Sequence, residues 1–477
     1  MRSVQRRLSA WGVRAERTGI MRTSRRTFLA TSAGGAGIAI LAACGAVPAT
    51  TMEEAPADEP EQEAMEAPEE AKILPVTFWY HSFPAWNFDT EELPRALRAQ
   101  FDETSGYKMI PLGRPNGGFN DVQTVVAAGT APDVVKTQSW VQNEWGVLEI
   151  VQPLDPWLGT AQNIQFDDLW KEKLNATQYQ GKTHALSYSI DARIIFSNTV
   201  QYLEAGLDPE NPPQTWGEME EAVTKTFKKQ GDDIQVLSWD PFRGSGGVHT
   251  WMVPYWQLGG EIFNDDKTRF TVNNELSVEA LTWLMRIYDL QGGWPSIAPF
   301  HTDKRNREQT ANGEMTHYYE GNAVRNAFFL KFHPDFEFHY FGYPLPSADG
   351  VLSNYSGDWA FCMPNGSANP DGGFAVIDFF YDAGVNLEWS IVMDRIPVRK
   401  SVAESADYIQ DDPFKELIIK EMDGARFVAS VPGARGILGA TGEAINSIRN
   451  GEATIPDAMQ LFEEKGQASM DEFLENQ

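Results

Sequence analysis

Cysteine is nearly missing from this chain of 477 residues: only Cys44 and Cys362 occur. If Cys44 is consumed by the modification argued below, no internal disulfide can form, and stability has to come from an ordinary apolar core. Signatures of nucleotide and metal chemistry are missing as well. There is no Gly-x-x-x-x-Gly-Lys-Ser/Thr, no His-Glu-x-x-His and no Cys-x-x-Cys. The seven histidines are scattered. His317 and Glu320 would suit a metal only on a helix, and the run His-Tyr-Tyr-Glu reads as a strand end. Neither a metal nor a cofactor is implied, and no motif demands catalysis. Gly433-Ala-Arg-Gly-Ile-Leu-Gly439 superficially resembles a dinucleotide loop, but it follows Val431-Pro432 and reads as an ordinary loop. Positive charge is scarce: 39 basic residues face 67 acidic ones, a net charge of −28. Eight arginines and one glutamate precede Cys44, so the remainder carries about −35, which argues against nucleic acid and against adsorption on an anionic membrane surface. Long apolar runs are lacking too. Phe28–Ala43 is broken by Thr31, Ser32 and three glycines, and is short of the roughly 20 residues a spanning helix needs.

What the first 72 residues do contain is an address. Ser24-Arg25-Arg26-Thr27-Phe28-Leu29 ahead of the mild apolar run resembles a twin-arginine export signal. Leu41-Ala42-Ala43-Cys44 resembles a bacterial lipobox, in which the cysteine is diacylated and becomes the first mature residue. Residues 1–43 are therefore expected to be an export signal, with Met21 as an alternative start, and Cys44 the lipidation site. Residues 45–72 hold four prolines and nine acidic residues but no aromatic. Such a segment cannot bury enough apolar surface to offset its ordering entropy, so 44–72 is expected to be a disordered, self-repelling tether. The expected location is the extracytoplasmic face of the membrane.

From residue 73 the pattern changes. Ile73–Tyr80 is rich in β-branched and aromatic residues and predicts a strand. Glu91–Thr104 predicts an amphipathic helix, Tyr107–Ile110 a second strand, Asp121–Ala128 a helix with Val122, Val125 and Val126 on one face, and Asp133–Val135 a third strand. This alternation predicts an α/β fold with a largely parallel sheet. The length is enough for two domains.

Within this body Ala127-Ala-Gly-Thr-Ala-Pro-Asp-Val-Val135 resembles the Gly-x-Ala-Pro-Asp-Val segment of the family 1 extracellular solute-binding proteins of ABC importers. Further resemblances follow in the family's order: Tyr179–Leu186 with Phe196-Ser-Asn198; Ala205-Gly-Leu207 with Pro213-Gln-Thr-Trp216; Asn312-Gly-Glu-Met315 with Glu320-Gly321; Gly366–Pro370; and Ile396-Pro-Val-Arg399. Each is short, but together they span residues 76–400. Ser187, Ser197 and Asn322 stand where the family usually has proline, tyrosine and tryptophan, so a stacking platform is lost at Asn322. The resemblance implies a two-lobe periplasmic-binding-protein-like fold (type II), with lobes of about 73–188 plus 356–405 and about 192–352 plus 410–477. A hinge joins them, the ligand lies in the cleft between, and closure is a hinge motion. It also implies an ABC permease as partner, a small-molecule ligand, a monomer, and no bond broken.

A saccharide presents apolar C–H faces and rims of hydroxyls, so its site needs aromatic platforms and planar polar groups. Where this family builds its cleft, the chain offers Trp79, His81 and Trp86 after the first strand, and Gln138, Ser139 and Trp140 after the third. It also offers Tyr188 and Asp191 beside the first hinge crossing, Trp239, His249 and Trp251 around the Arg243–Gly247 loop, and Glu320, Asn322, Asp358 and Trp359. Asp191 sits among Ile190, Ile194 and Ile195, and a carboxylate buried there needs partners, a ligand hydroxyl being a natural one. Trp216 and Trp283 lie in helical patterns and read as core; Asp133 reads as a structural cap. The ligand expected is a sugar or oligosaccharide. Two other readings fit the same residues: a secreted glycoside hydrolase or lyase using paired carboxylates, and the same fold binding a cation through its tryptophans.

Overall fold

A computed structural model describes residues 73–475, except 82–86, 115–118, 139–140, 245–246, 301–305 and 429–430. The arginine pair, Cys44, the acidic tether, Trp86, Ser139 and Trp140 lie outside the described residues. Among the described residues no helix is long and apolar enough to cross a membrane.

The strands are β1 (Leu74–His81), β2 (Tyr107–Arg114), β3 (Val134–Thr137), β4 (Val151–Gln152), β5 (Gln178–Tyr179), β6 (Lys182–Thr183), β7 (Leu186–Asn198), β8 (Lys228–Gln230), β9 (Asp233–Trp239), β10 (Met315–Gly321), β11 (Phe338–Phe341), β12 (Asn354–Pro364) and β13 (Ala425–Arg426). The first turns of the fold follow from the sequence pattern. The helix Glu92–Thr104 buries Leu93, Leu97 and Phe101 at helical spacing, and β1 pairs in parallel with β2 on one side and β3 on the other. Asp133 ties this unit together, accepting from the Thr77 amide at 2.7 Å, the Thr77 hydroxyl at 2.7 Å, Ser367 Oγ at 2.8 Å and the Asn369 amide at 2.7 Å. One carboxylate so saturated with donors is structural.

Strand order runs β2-β1-β3-β12-β7-β10-β9-β8, with β11 on β7 and with β13 and β4 on β12. Two long strands make this path continuous. Residues 186–192 of β7 pair antiparallel with 356–361 of β12, and from Arg193 onward β7 pairs instead with β10 and β11. β12 in turn pairs with β13 at Asn354 and Tyr355, and with β3 from Ala360 to Cys362. All thirteen residues of β7 are buried, as expected of a strand covered on both faces. β7 and β12 thus pass from one group of strands to the other, and a third segment joins them at the waist: Ile190 and Ile396 exchange both backbone hydrogen bonds, at 3.1 and 2.9 Å.

The two sides of the waist have separate cores. On the β1–β3 side Tyr188 stacks on Phe361 (centroids 4.1 Å apart, 13° between planes), beside Phe78 and Phe380. On the β9–β10 side Trp216 stacks on Trp283 (4.4 Å, 10°), and Trp239, Tyr343 and Tyr319 extend the cluster. The helix Trp216–Thr226 that presents Trp216 starts with a capping box between Thr215 and Glu218. The Gly433–Gly439 run departs from its expected loop: Gly433, at φ 81°, precedes the helix Ala434–Arg449. Ala434, Ile437, Ala440, Thr441, Ala444, Ile445 and Ile448 give that helix a buried stripe. A period-3.6 pattern overrides the glycines at its start.

Candidate functional site

Where β7 and β12 change partners, charged side chains are buried in a belt. Asp191 is 6 % exposed. Its carboxylate pairs with the Arg395 guanidinium, lies 3.7 Å from Arg193 Nε, and accepts from the Gly357 amide at 3.2 Å. A Cβ at 357 would stand 2.8 Å from Asp191 Oδ1 and 2.9 Å from Arg193 Nη2, so a larger residue there would have to displace one of these two side chains. Arg193 also reaches Glu320 at 3.5 Å and lies 4.6 Å from the Tyr355 ring centre. Glu320 accepts from the Tyr318 hydroxyl and from the Gly321 amide. Asp358 accepts from Ser187 Oγ and pairs with Lys173 Nζ at 2.8 Å, and Lys173 lies 4.8 Å from the centre of Phe427.

A second group of cations lies at the carboxyl ends of the parallel strands. Arg114, the last residue of β2, clasps Asp121 with Nε at 2.9 Å and Nη2 at 2.6 Å, and donates Nη1 to the Lys136 carbonyl at 3.0 Å. Its guanidinium stands 5.4 Å from the Trp79 ring centre. Lys136, on β3, is 0 % exposed and holds its ammonium 4.2 Å from the centre of the Trp359 ring. Burial pushes this amine well below the usual lysine range, and Arg395 and Arg114 push it further the same way. Trp79 and Trp359 are both half-buried.

The belt collects several of the expected site residues: Asp191, Glu320 and Asp358 as carboxylates, Trp359 as a ring, and His249 beside Arg193. Burial first and Arg193 second lower the His249 pKa to about 4, and its Nδ1 has no hydrogen-bond partner among the described residues. Trp79 packs partly against the core around Val135 and Trp145. Gln138 is half-buried just after β3, and His81 is the last residue of β1.

Other expected residues are placed elsewhere. Tyr188, Trp239 and Trp251 are fully buried; Tyr188 stacks on Phe361, Trp239 packs against Trp283 and Tyr343, and Trp251 against Tyr255 and Phe462. In this structure these three rings fill cores rather than face the belt. Asn322 is buried and acts as a clasp: its amide donates to the Ala192 carbonyl, its Oδ1 accepts from the Ala192 amide, and its Nδ2 donates to the Asp394 carbonyl. It thereby joins β7, β10 and the segment before Ile396. The expected ligand hydroxyl for Asp191 is replaced here by Arg395, Arg193 and a backbone amide.

Lys136, Arg193, Arg395 and Lys173 were not among the expected residues. Arg193 carried a signal, standing two residues after Asp191 and hence on the same strand face. Arg395 directly precedes the Ile396–Arg399 motif. Lys136 follows the Asp133–Val135 motif, but a lone lysine ordinarily reads as surface. A further contact joins distant parts of the chain. Glu144, buried on the helix Gln142–Val147, accepts from Arg435 Nε at 2.6 Å, and Arg435 Nη1 donates to Asn120 at 3.2 Å. Arg435 belongs to the helix that packs on the Ile455–Glu475 helix.

The fold recurs in solved proteins. The structure is similar to that of CpMnBP1 with mannobiose bound, at 18 % identity and TM-score 0.70 over 83 % of this chain and all of that one. It is similar to the cyclic α-maltosyl-1,6-maltose binding protein of Arthrobacter globiformis, at 20 % identity and TM-score 0.69 over 84 % of this chain and all of the other. It is also similar to the GacH receptor of Streptomyces glaucescens, at 18 % identity and TM-score 0.67 over 84 % and 99 %. These similarities establish the two-lobe fold. Residues 96–416, about two thirds of the chain, match the family model described as bacterial extracellular solute-binding protein, and the chain belongs to that family.

Proposed function

We propose that this protein captures a saccharide between its two lobes and presents it to the membrane subunits of an ABC importer. Residues 73–188 with 356–405 form one lobe in this reading, and 192–352 with 410–477 the other. The observation that carries it is the partner change in β7 at Ala192 and Arg193, matched in β12 near Ser356. Two strands and the Ile396 segment connect the halves, a geometry that permits rotation about the waist while each core stays intact. The ligands named for similar structures, mannobiose and cyclic maltosyl-maltose, are saccharides. Half-buried Trp79 and Trp359 supply ring surface beside hydrogen-bonding groups, the combination a saccharide requires. His81 ends β1 and Gln138 follows β3, at the carboxyl edge where open α/β sheets bind ligands, and Trp86, Ser139 and Trp140 come shortly after them in the sequence.

Asp191, Glu320 and Asp358 are each held by a cation, which suits positioning and recognition better than the proton donation a glycosidase needs. Tethering by Cys44 to the outer face of the membrane completes the reading. The deciding experiment is a thermal-shift screen of the body from residue 73 against mono- and oligosaccharides. A ligand present at a hundred times its Kd stabilises by about 2.7 kcal/mol; the absence of a shift with every saccharide defeats the proposal. For the anchor, Cys44→Ser should move the exported protein from the membrane to the soluble fraction, and retention after carbonate washing would sink that part.

A further inference from the structure

We propose that Arg435 and Glu144 form a latch across the cleft, one that biases the two sides towards closure with or without ligand and so slows ligand release. This rests on the two-lobe reading and adds a control of closure to it. The two residues belong to opposite sides of the waist. Glu144 lies on the helix Gln142–Val147, whose Trp145 packs with Val135 of β3 and Cys362 of β12. Arg435 lies on the helix Ala434–Arg449, which packs on the helix Ile455–Glu475. That helix rests in turn on the helix Glu275–Asp289, the carrier of Trp283.

Where the contact is made decides what rotation does to it. Thr137 pairs with Ala360 and Val135 with Cys362, so the carboxyl end of β3 points towards the crossing at Ser356. The parallel strands β1 and β2 point the same way. The helix Gln142–Val147 follows β3 and the helix Phe119–Ala127 follows β2, and the Arg114–Asp121 clasp fastens the latter to the end of its strand. Arg435 touches both helices: Nε donates to Glu144 Oε1 at 2.6 Å, and Nη1 donates to Asn120 Oδ1 at 3.2 Å. β2 is three strands from β12, about 14 Å at the usual spacing. Bonds made that far from the crossing strands break when the sides turn about them and the cleft widens.

Two attractions meet at Glu144. Its carboxylate is buried against the partly exposed Arg435 guanidinium, a charge-assisted bond of the stronger kind. Its Oε2 also lies 3.5 Å from the Arg435 amide, in the first turn of the helix Ala434–Arg449. The residue at the cap of that helix is Gly433, which has no side chain to accept from the first amides. The other side of the cleft therefore supplies the acceptor and the negative charge that a helix start favours. Opening the cleft leaves that turn uncapped and the carboxylate exposed, and water then takes the place of both partners. The contact is thus strong enough to bias closure and exchangeable enough to let go.

The test is a distance between two nitroxides, measured by pulsed electron resonance on the mature chain carrying Cys44→Ser, with labels attached through Leu112→Cys and Leu461→Cys. Both positions are exposed, one on β2 and the other on the helix Ile455–Glu475, and Cys362 is buried and takes no label. Without ligand, Arg435→Met and Glu144→Gln should each lower the ratio of short to long distances roughly tenfold or more, the scale of a hydrogen bond to a charged group. The double variant should be no more open than either single one, since the two residues share one interaction. Arg435→Lys should keep part of the short population, and the melting temperature of each variant checks folding. Mannobiose and the other saccharides of the thermal-shift screen are then added. One that restores the short distance in the variants should leave them roughly tenfold faster than it leaves the wild type, the effect falling on dissociation. Ligand-free distances in Arg435→Met and Glu144→Gln that match the wild type overturn the latch; if a saccharide still shortens the distance, the two-lobe reading stands. A distance that no variant and no saccharide alters overturns both.

Discussion

Around Trp283 the Trp216 ring stacks face to face, the Trp239 ring lies tilted and the Tyr343 ring meets it edge to face. At the waist, within the same chain, Asp191 pairs with Arg395 and Arg193, Arg193 with Glu320, and Lys173 with Asp358, all six being buried or half-buried. The first material is indifferent to pH and salt, and every displaced ring leaves a void. The second is held by pairing, so its energy depends on which groups are charged and on whether partners stay opposite one another. If the lobes turn about the waist as proposed, this division serves the motion. Aromatic cores keep each lobe intact, whereas ion pairs and hydrogen bonds can be exchanged for water or ligand when the waist turns.

The comparison breaks most plainly at the aromatic end. Trp283→Ala removes a fully packed ring from the Trp216 stack and should cost about 3–5 kcal/mol, read as a lower urea midpoint, while the fraction still folded binds ligand as the wild type does. A loss under about 1 kcal/mol would show that the stack is not what holds this lobe.

Next in size is a pH effect at Glu421, which lies under the waist. Its carboxylate accepts from Asn354 Nδ2 at 2.5 Å, and Asn354 also donates to the Arg193 carbonyl and accepts from the Tyr319 hydroxyl. Gly342 closes the space beside it; a Cβ there would stand 2.2 Å from Oε1. Burial raises its pKa from 4.5 to about 7, against a smaller lowering by Asn354. An acid whose folded pKa is raised stabilises fully below its unfolded pKa, and that contribution is lost as pH rises from about 4.5 through 7. The difference is on the order of 3 kcal/mol. Because Glu421→Gln imitates the protonated form, the gap in stability between variant and wild type should widen in favour of the variant across that interval. A gap independent of pH would mean that Glu421 does not titrate there.

Asp191→Asn keeps the shape of the side chain but removes the charge between Arg395 and Arg193. We expect a loss of about 1.5–3 kcal/mol in stability, the scale of hydrogen bonds to a charged group. Ligand-induced compaction, measured by X-ray scattering, should also become smaller, since the variant loosens the waist and not a lobe. Undiminished compaction together with wild-type stability would remove Asp191 from the belt's working parts.

The sequence showed the scaffold more readily than the site, for physical reasons visible in single residues. The strands at Leu74–His81, Tyr107–Arg114 and Val134–Thr137, and the helices between them, were legible because period and composition are local properties. The stacking of Trp216 on Trp283 was half legible: helical spacing marked both as core, but nothing in the chain says that they touch. Trp251 and Trp239 misled, because a tryptophan near a glycine-rich loop fits a core and a cleft equally well. The belt was the least legible part. Asp191 was singled out for its apolar neighbours, yet its partners Arg395 and Gly357 lie some 160 to 200 residues away, and pairing over such distances is set by the strand crossing alone. The leader and tether were read from motif and composition only.

The smallest expected effect is also the control for the others. Thr215 caps the helix Trp216–Thr226, its hydroxyl accepting from the Glu218 amide while Glu218 reaches back to the Thr215 amide at 2.9 Å. The box is exposed and belongs to the side of the molecule that carries the aromatic stack. Thr215→Ala should cost about 1 kcal/mol, as loss of such a cap usually does. That loss reaches the lobe through the start of one helix and touches neither the belt nor the carboxyl edges of β2 and β3. Ligand affinity, its dependence on salt and the extent of compaction should therefore match the wild type, even though the melting temperature falls. If they shift together with stability, the effects of Asp191→Asn reflect a generally weaker protein, and the separation between rigid cores and an exchangeable waist fails. If they stay fixed while Asp191→Asn changes them, the two regions are energetically distinct in the way their packing implies.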